Sequence, residues 1–88
     1  MTADSRWHTL REIDLAAGQA KGSAFRAFKR NGDRWHEGRD FVVLDHERDA
    51  GAIRELRGSG RIYAGSVNVV LLSQTAADTL LQALATSR

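Results

Sequence analysis

Five cationic side chains are concentrated in one short part of this sequence, at Lys21, Arg26, Lys29, Arg30 and Arg34. Residues 20–35 contain a single acid, Asp33, whereas the whole chain has a formal net charge of only +2. Ammonium and guanidinium groups that share one surface attract phosphate groups, and their affinity falls as salt is added. The pattern therefore predicts a phosphate-binding surface. The alternative is a helix face that is merely solvated.

The histidines and acids form no pattern that is typical of a metal site or a catalytic centre. No two of the three histidines have the spacing of metal ligands on one helix face: His8, His36 and His46. The chain has no cysteine, which excludes disulfides and thiolate zinc sites. One region is rich in acids of the kind that helix N-termini attract: Asp40, Asp45, Glu47 and Asp49. We therefore expect no enzyme, no metal and no cofactor.

A pair of short helices must position the basic residues. The first is expected to begin at Thr9, because Thr9 and Glu12 have the spacing of a capping box. Gly18 is expected to end it in a left-handed conformation. Its apolar residues recur with helical spacing: Leu10, Ile13 and Ala17. The sequence thus predicts an amphipathic helix that packs one stripe against its neighbours.

The second helix is predicted over about residues 21–30, before the turn residues 31–33. Its predicted core face consists of Ala24, Phe25 and Phe28, with Arg26, Lys29 and Arg30 on the opposite side. Two short helices joined by a tight glycine turn predict a helix-turn-helix over residues 9–30.

The rest of the chain predicts a small α+β fold. The expected order is a buried strand at 41–44, a third helix at 47–57, and a β-hairpin of 61–64 with 67–72. A last helix follows at 74–85, capped by Ser73. Its inward residues are Ala77, Leu80, Leu81 and Leu84. We therefore expect one domain over 1–88, a helix-turn-helix with a winged-helix-like hairpin and a C-terminal helix.

Residues 13–29, IDLAAGQAKGSAFRAFK, resemble the helix-turn-helix of TetR-type repressors. In that family the run is approximately I-A-x-x-A-G-V-S-x-G-[ST]-[LIF]-Y-x-[YH]-F. The matching residues are Ile13, Ala17, Gly18, Gly22, Ser23 and Phe28, with Phe25 at an aromatic position. The resemblance implies that certain residues lie on or beside a DNA-facing helix: Lys21, Gly22, Ser23, Phe25, Arg26 and Lys29.

Three positions depart from that pattern. Asp14 replaces a small alanine between the helices, and Gln19 replaces a buried valine or isoleucine. Ala20 replaces the serine that would cap the second helix, a role that Ser23 is expected to take over. The 88 residues hold no counterpart of the long helical ligand domain of TetR repressors, so we expect the similarity to cover only the DNA-reading unit.

The order of elements is similar to that of phage excisionases, MerR-type proteins and small prophage regulators. In those proteins a β-hairpin acts as a wing beside the recognition helix. The resemblance implies wing contacts to DNA from Arg61, Tyr63, Ser66 and Asn68. The alternative is a hairpin that only completes the core sheet.

These observations predict a sequence-specific DNA-binding regulator of transcription, of phage or prophage type. Phosphates would be contacted by Arg26, Lys29, Arg30 and Arg34, and base edges by Lys21, Ser23 and Arg26. A homodimer on a two-fold site is expected, with 74–85 as its interface unless that helix closes the monomer core. The alternative function is a protein-interaction module that does not bind DNA, such as an antirepressor, antitoxin or phage accessory factor.

No small-molecule substrate is expected. Residues 1–5 are polar, and no apolar run approaches the ~20 residues of a membrane span. We therefore expect a cytoplasmic protein without a membrane partner.

Overall fold

Four helices and three strands alternate along residues 7–86, the part of the chain that the computed structural model describes. In chain order they are β1 (His8–Thr9), α1 (Leu10–Ala17), α2 (Ser23–Arg30), β2 (Phe41–Leu44), α3 (Ala50–Gly58), β3 (Val69–Leu72) and α4 (Gln74–Thr86). A 3-10 turn at Gly32–Arg34 follows α2. The expected α+β class is confirmed. Residues 1–5, on which the expectation of a cytoplasmic protein was based, lie outside the described residues.

The sheet is antiparallel throughout, with the strand order β1-β3-β2. In the central strand, Leu72 faces one apolar cluster and Val69 faces another, because side chains alternate across a sheet. The first cluster joins β3 to α1, α2 and α4: Ile13, Ala24, Ala27, Leu72, Ala76, Ala77, Leu80 and Leu84. The second joins it to α3: Ile53, Ile62 and Val69. The helix pair α1–α2 therefore rests on one face of the sheet, together with α4.

Two backbone carbonyls on the outer edge of β2 accept hydrogen bonds from neighbouring residues. The Gly38 amide donates to the Phe41 carbonyl at 2.7 Å. The Arg48 guanidinium donates to the Val43 carbonyl at 3.3 Å. A turn and an arginine from the next loop thus cover this edge of the sheet.

The first helix has the ends that its sequence predicts. The Thr9 hydroxyl accepts from the Glu12 amide at 3.1 Å, and the Glu12 carboxylate accepts from the Thr9 amide at 2.9 Å. Gly18 follows the last turn with a φ of 67°, a left-handed conformation that glycine adopts without a Cβ penalty. Both predicted helix ends are therefore confirmed.

The second helix begins at Ser23, two residues later than predicted, because Gly22 has a φ of 91° that is incompatible with a right-handed helix. Its core face consists of Ala24, Ala27 and the half-buried Phe28. Phe25 was predicted to face the core and this was wrong, since 45% of its surface is exposed. The small side chains at 24 and 27 let α2 pack closely on α4, and Phe25 falls outside that contact.

The predicted hairpin of 61–64 with 67–72 is not formed. Only 69–72 is a strand, and its partners are β1 and β2. Residues 61–63 instead lie against α1, where Arg61 contacts Glu12 and Tyr63 contacts Asp14. These long-range contacts outweigh the local strand propensity of the segment. The central strand β3 therefore pairs antiparallel with β1 and with β2, and residues 45–68 connect β2 to β3.

The third helix begins at Ala50 and not at Glu47. The carboxylate of Asp45 accepts from the amides of Glu47 and Arg48, at 2.9 and 3.0 Å. Side-chain acceptors that bind nearby amides favour turns over helix, which explains the later start.

The last helix closes the core of the monomer. Its buried side chains are Ala76, Ala77, Leu80 and Leu84, and the Ser73 hydroxyl accepts from the Ala76 amide at 3.2 Å as a cap. Of the two alternatives for residues 74–85, packing within the monomer is the one observed, and the apolar face is used there. Within residues 7–86, no helix combines the length and the apolar character that a membrane span requires.

Candidate functional site

A buried carboxylate fixes the start of α2. Asp14, on α1, is only 1% exposed. Its Oδ1 accepts from the Ala24 amide at 2.7 Å, and its Oδ2 accepts from the Gly22 amide at 3.0 Å. These amides are among those that a helix N-terminus leaves without backbone partners. The residue that departs from the TetR-type pattern therefore supplies the cap that Ala20 lacks. The expectation that Ser23 caps α2 was wrong.

Tyr63, which is 49 positions from Asp14 in the sequence, completes this buried site. Its hydroxyl donates to Asp14 Oδ2 at 2.6 Å. The Lys21 Nζ lies 5.0 Å from the centroid of its ring, and the Arg11 guanidinium carbon 5.6 Å from it. Burial raises the pKa of the Tyr63 phenol to about 12, and the hydrogen bond to Asp14 and the charge of that carboxylate add to the rise. Tyr63 thus ties α1 to the turn before α2.

Because Tyr63 is the one tyrosine of the chain, its titration is observable as tyrosinate absorbance. We expect a midpoint near pH 12 in the native protein, returning to its ordinary value near 10.0 in urea. The raised pKa favours the protonated phenol, so its contribution to stability is complete below pH 10 and is lost as the pH approaches 12. A native midpoint near 10 would contradict the buried contact with Asp14.

Arg61 holds the same segment against α1. Its Nε lies 2.8 Å from the Glu12 carboxylate, and its carbonyl accepts from the Thr9 hydroxyl at 2.5 Å. Partial burial alone would raise the pKa of the Glu12 carboxyl, but the hydrogen bonds from Arg61 and the Thr9 amide outweigh it and lower that pKa. Arg61 therefore supports the capped end of α1.

The four residues predicted for a wing all have contacts within the domain. Arg61 and Tyr63 contact α1, as described above. The Asn68 side chain accepts from the His46 amide at 2.9 Å, and the Ser66 carbonyl accepts from Arg57 at 2.6 Å. The structure does not bring the four residues together on one hairpin.

The eight residues predicted for DNA contact lie on α2 or directly beside it. Lys21 and Gly22 belong to the turn, and Arg34 belongs to the 3-10 turn that follows α2. The exposed side chains of the helix itself are Phe25, Arg26, Lys29 and Arg30, here called the α2 surface. In the described part of the chain, no carboxylate lies within 4.0 Å of its three cations. The α2 surface therefore carries positive charge that no ion pair neutralises there.

A polar depression of about 180 Å³ lies between α2 and the end of α4. It is lined by Gln19, Ser23, Arg26, Arg30 and Leu84. Arg26 and Arg30 are one helical turn apart, so their guanidinium groups project on the same side. The Ser23 hydroxyl lies 3.4 Å from an Arg26 nitrogen. This arrangement offers several donors to one phosphate-sized anion.

The acids near β2 act as local hydrogen-bond acceptors. Asp40 accepts from the His36 amide and Arg39, and Asp45 from two amides of its own turn, which lowers the pKa of both carboxyls. Among residues 7–86, no three side chains of His, Asp or Glu converge as a metal site would require. The carboxylates of Asp40 and Asp45 are therefore engaged by donors close to them in the sequence.

Sequence inspection did not predict that Asp14 caps α2 or that Gln19 lines the depression, and it assigned Tyr63 to a wing and not to its contact with Asp14. Asp14 carried one usable signal, an acid at an inward position of α1 directly before a turn without a capping side chain. Tyr63 carried none, because it lies 49 positions from its partner.

Comparisons of the chain with protein-family models, curated proteins and solved structures find no match. What α2 binds must therefore be inferred from its own side chains.

Proposed function

We propose that this protein is a regulator that binds double-stranded DNA with α2 in the major groove. The observation that carries the proposal is the division of α2 into two faces. Ala24 and Ala27 anchor it in the core, whereas Arg26, Lys29 and Arg30 project into solvent without acidic partners in the described part of the chain. A helix with one exposed cationic face suits the width and the negative charge of that groove.

The position of each side chain along α2 suggests its role. In helix-turn-helix proteins, the N-terminal residues of the second helix contact base edges. Lys21, Ser23 and Arg26 are therefore assigned to bases. Arg30 and Lys29 lie nearer the C-terminus of α2 and are assigned to phosphates, a role that Arg26 shares. Arg34 is added to this second group because it is exposed just beyond the helix.

The capped turn prepares α2 for binding. Asp14, itself held by Tyr63, fixes the amides of Gly22 and Ala24 at the start of α2, so the cationic side chains project from a helix whose first turn is already ordered. A surface that is ordered before binding loses less conformational entropy when the complex forms. This rigidity favours recognition of particular sequences.

A homodimer on a two-fold DNA site belongs to the proposal, because a single unit reads few base pairs. Since the apolar face of α4 packs within the monomer, an interface on this helix would use its outer residues. These are more polar: Gln74, Thr75, Asp78, Gln82 and Ala85.

The test is a titration of random-sequence duplex DNA by fluorescence anisotropy at several salt concentrations. If the four cations Arg26, Lys29, Arg30 and Arg34 each displace a counterion, log K should fall with log salt at a slope of roughly −3 to −4 for each bound protomer. No binding at low salt would contradict the proposal. It would favour the protein-interaction module as the function.

A further inference from the structure

Phe25 is an aromatic side chain exposed among cations. It is 45% exposed and is the third residue of α2. The Lys29 Nζ lies 5.4 Å from its ring centroid. The core beneath α2 is filled by Ala24, Ala27 and Phe28, so Phe25 adds little to the packing of the monomer. A large apolar side chain that the core does not use, on the cationic surface proposed to bind DNA, is available to contact the bound molecule.

We propose that Phe25 determines base specificity by packing against the 5-methyl group of thymine. This inference rests on the proposed DNA-binding function and adds a particular base to it. The first turn of a recognition helix reaches the base edges, and Phe25 lies in that turn. Its phenyl group neither donates nor accepts a conventional hydrogen bond, so it must recognise a base by apolar contact. The apolar group on the major-groove edges of the bases is the methyl group of thymine.

The surroundings of Phe25 support a contact in duplex DNA. Lys29 lies over the ring one turn further along the helix, so the phenyl group and a phosphate-binding cation are adjacent. On the neighbouring flank of the same exposed face, Arg26 and Arg30 line the polar depression with Ser23. The α2 surface thus has an aromatic ring on one flank and two guanidinium groups on the other. We assign the aromatic ring, the Phe25 phenyl group, to the contact with thymine.

The experiment replaces thymine by uracil, which lacks only the methyl group. Tight-binding duplexes are first enriched from a random pool with the wild-type protein, and each thymine of one such duplex is then replaced in turn. For at least one position we expect the affinity of the wild-type protein to fall about fourfold on replacement by uracil, because the buried methyl group is lost. Phe25→Ala should bind the thymine and uracil duplexes equally at that position. Its salt dependence should equal that of the wild type, because no charge is removed.

Two further variants make the result specific. Leu15→Ala removes another exposed apolar side chain, 62% exposed on α1, and should keep the fourfold preference for thymine. Phe25→Leu keeps an apolar group and should retain part of the preference. Circular dichroism checks that each variant is folded.

Three outcomes would overturn the assignment. The first is equal affinity of the wild type for thymine and uracil at every position. The second is an unchanged preference in Phe25→Ala. The third is tighter binding to single strands than to duplex, which would indicate stacking on unpaired bases. Each is distinct from failure of the proposed function, in which no duplex binds in a salt-dependent way.

Discussion

Exchange of Arg26 and Lys29 for glutamate is expected to weaken duplex binding at least about a hundredfold, with the fold intact. Both side chains are exposed on α2, and in residues 7–86 neither has an acidic partner. The exchange removes two cations and places two anions against the phosphates. Each lost phosphate contact should also reduce the salt slope by about one. Anisotropy titrations at several salt concentrations measure both effects, and circular dichroism reports the fold.

Arg54→Glu is the matched control for the single variant Arg26→Glu. Arg54 is exposed on α3, and its exchange alters the net charge by the same amount. If net charge alone governed binding, the two single variants would lose equal affinity. We expect Arg26→Glu to lose about tenfold or more and Arg54→Glu to lose much less. Equal losses would contradict a role for α2 in particular.

Asp14→Ala is expected to destabilise the domain by about 2–4 kcal/mol, a large part of the stability of a typical domain. The change removes a helix cap, for which about 1 kcal/mol is typical. It also leaves the Tyr63 hydroxyl without its acceptor, and an unsatisfied buried group costs about 1–3 kcal/mol. Urea unfolding followed by tryptophan fluorescence measures the loss.

A graded series separates the capping contacts from a general effect of charge. Asp14→Asn keeps one acceptor oxygen and should lose less stability than Asp14→Ala. Tyr63→Phe removes one donor and should lose about 1 kcal/mol. Asp33→Ala, at an exposed position in the 3-10 turn, should change stability by less than about 0.5 kcal/mol. A loss below about 1 kcal/mol for Asp14→Ala would be inconsistent with the buried cap.

Local patterns in the sequence predicted those features that short-range physics determines. The capping box of Thr9 with Glu12, the turn at Gly18 and the strand at 41–44 depend on neighbouring residues, and the structure has all three. The cationic residues of α2 were placed on its exposed side for the same reason, since helical spacing alone separates them from Ala24.

Features that depend on distant contacts were not predicted. Strand β1 forms because His8 pairs with Leu72, and neither residue carries a local signal for this partner. Residues 61–63 have strand propensity, yet their bonds to α1 prevent a hairpin. The exposure of Phe25 depends on how closely α4 approaches α2, which no pattern within α2 reveals.

The occupied edge of β2 has a consequence for how copies of this protein meet. An open strand edge is a template on which another chain adds a strand, leading to domain swapping or aggregation. Here the donors from Gly38 and Arg48 already take the carbonyls that an incoming strand would bind. Self-association by continuation of the sheet past β2 is therefore disfavoured, which helps to keep the folded protein from polymerising at high concentration.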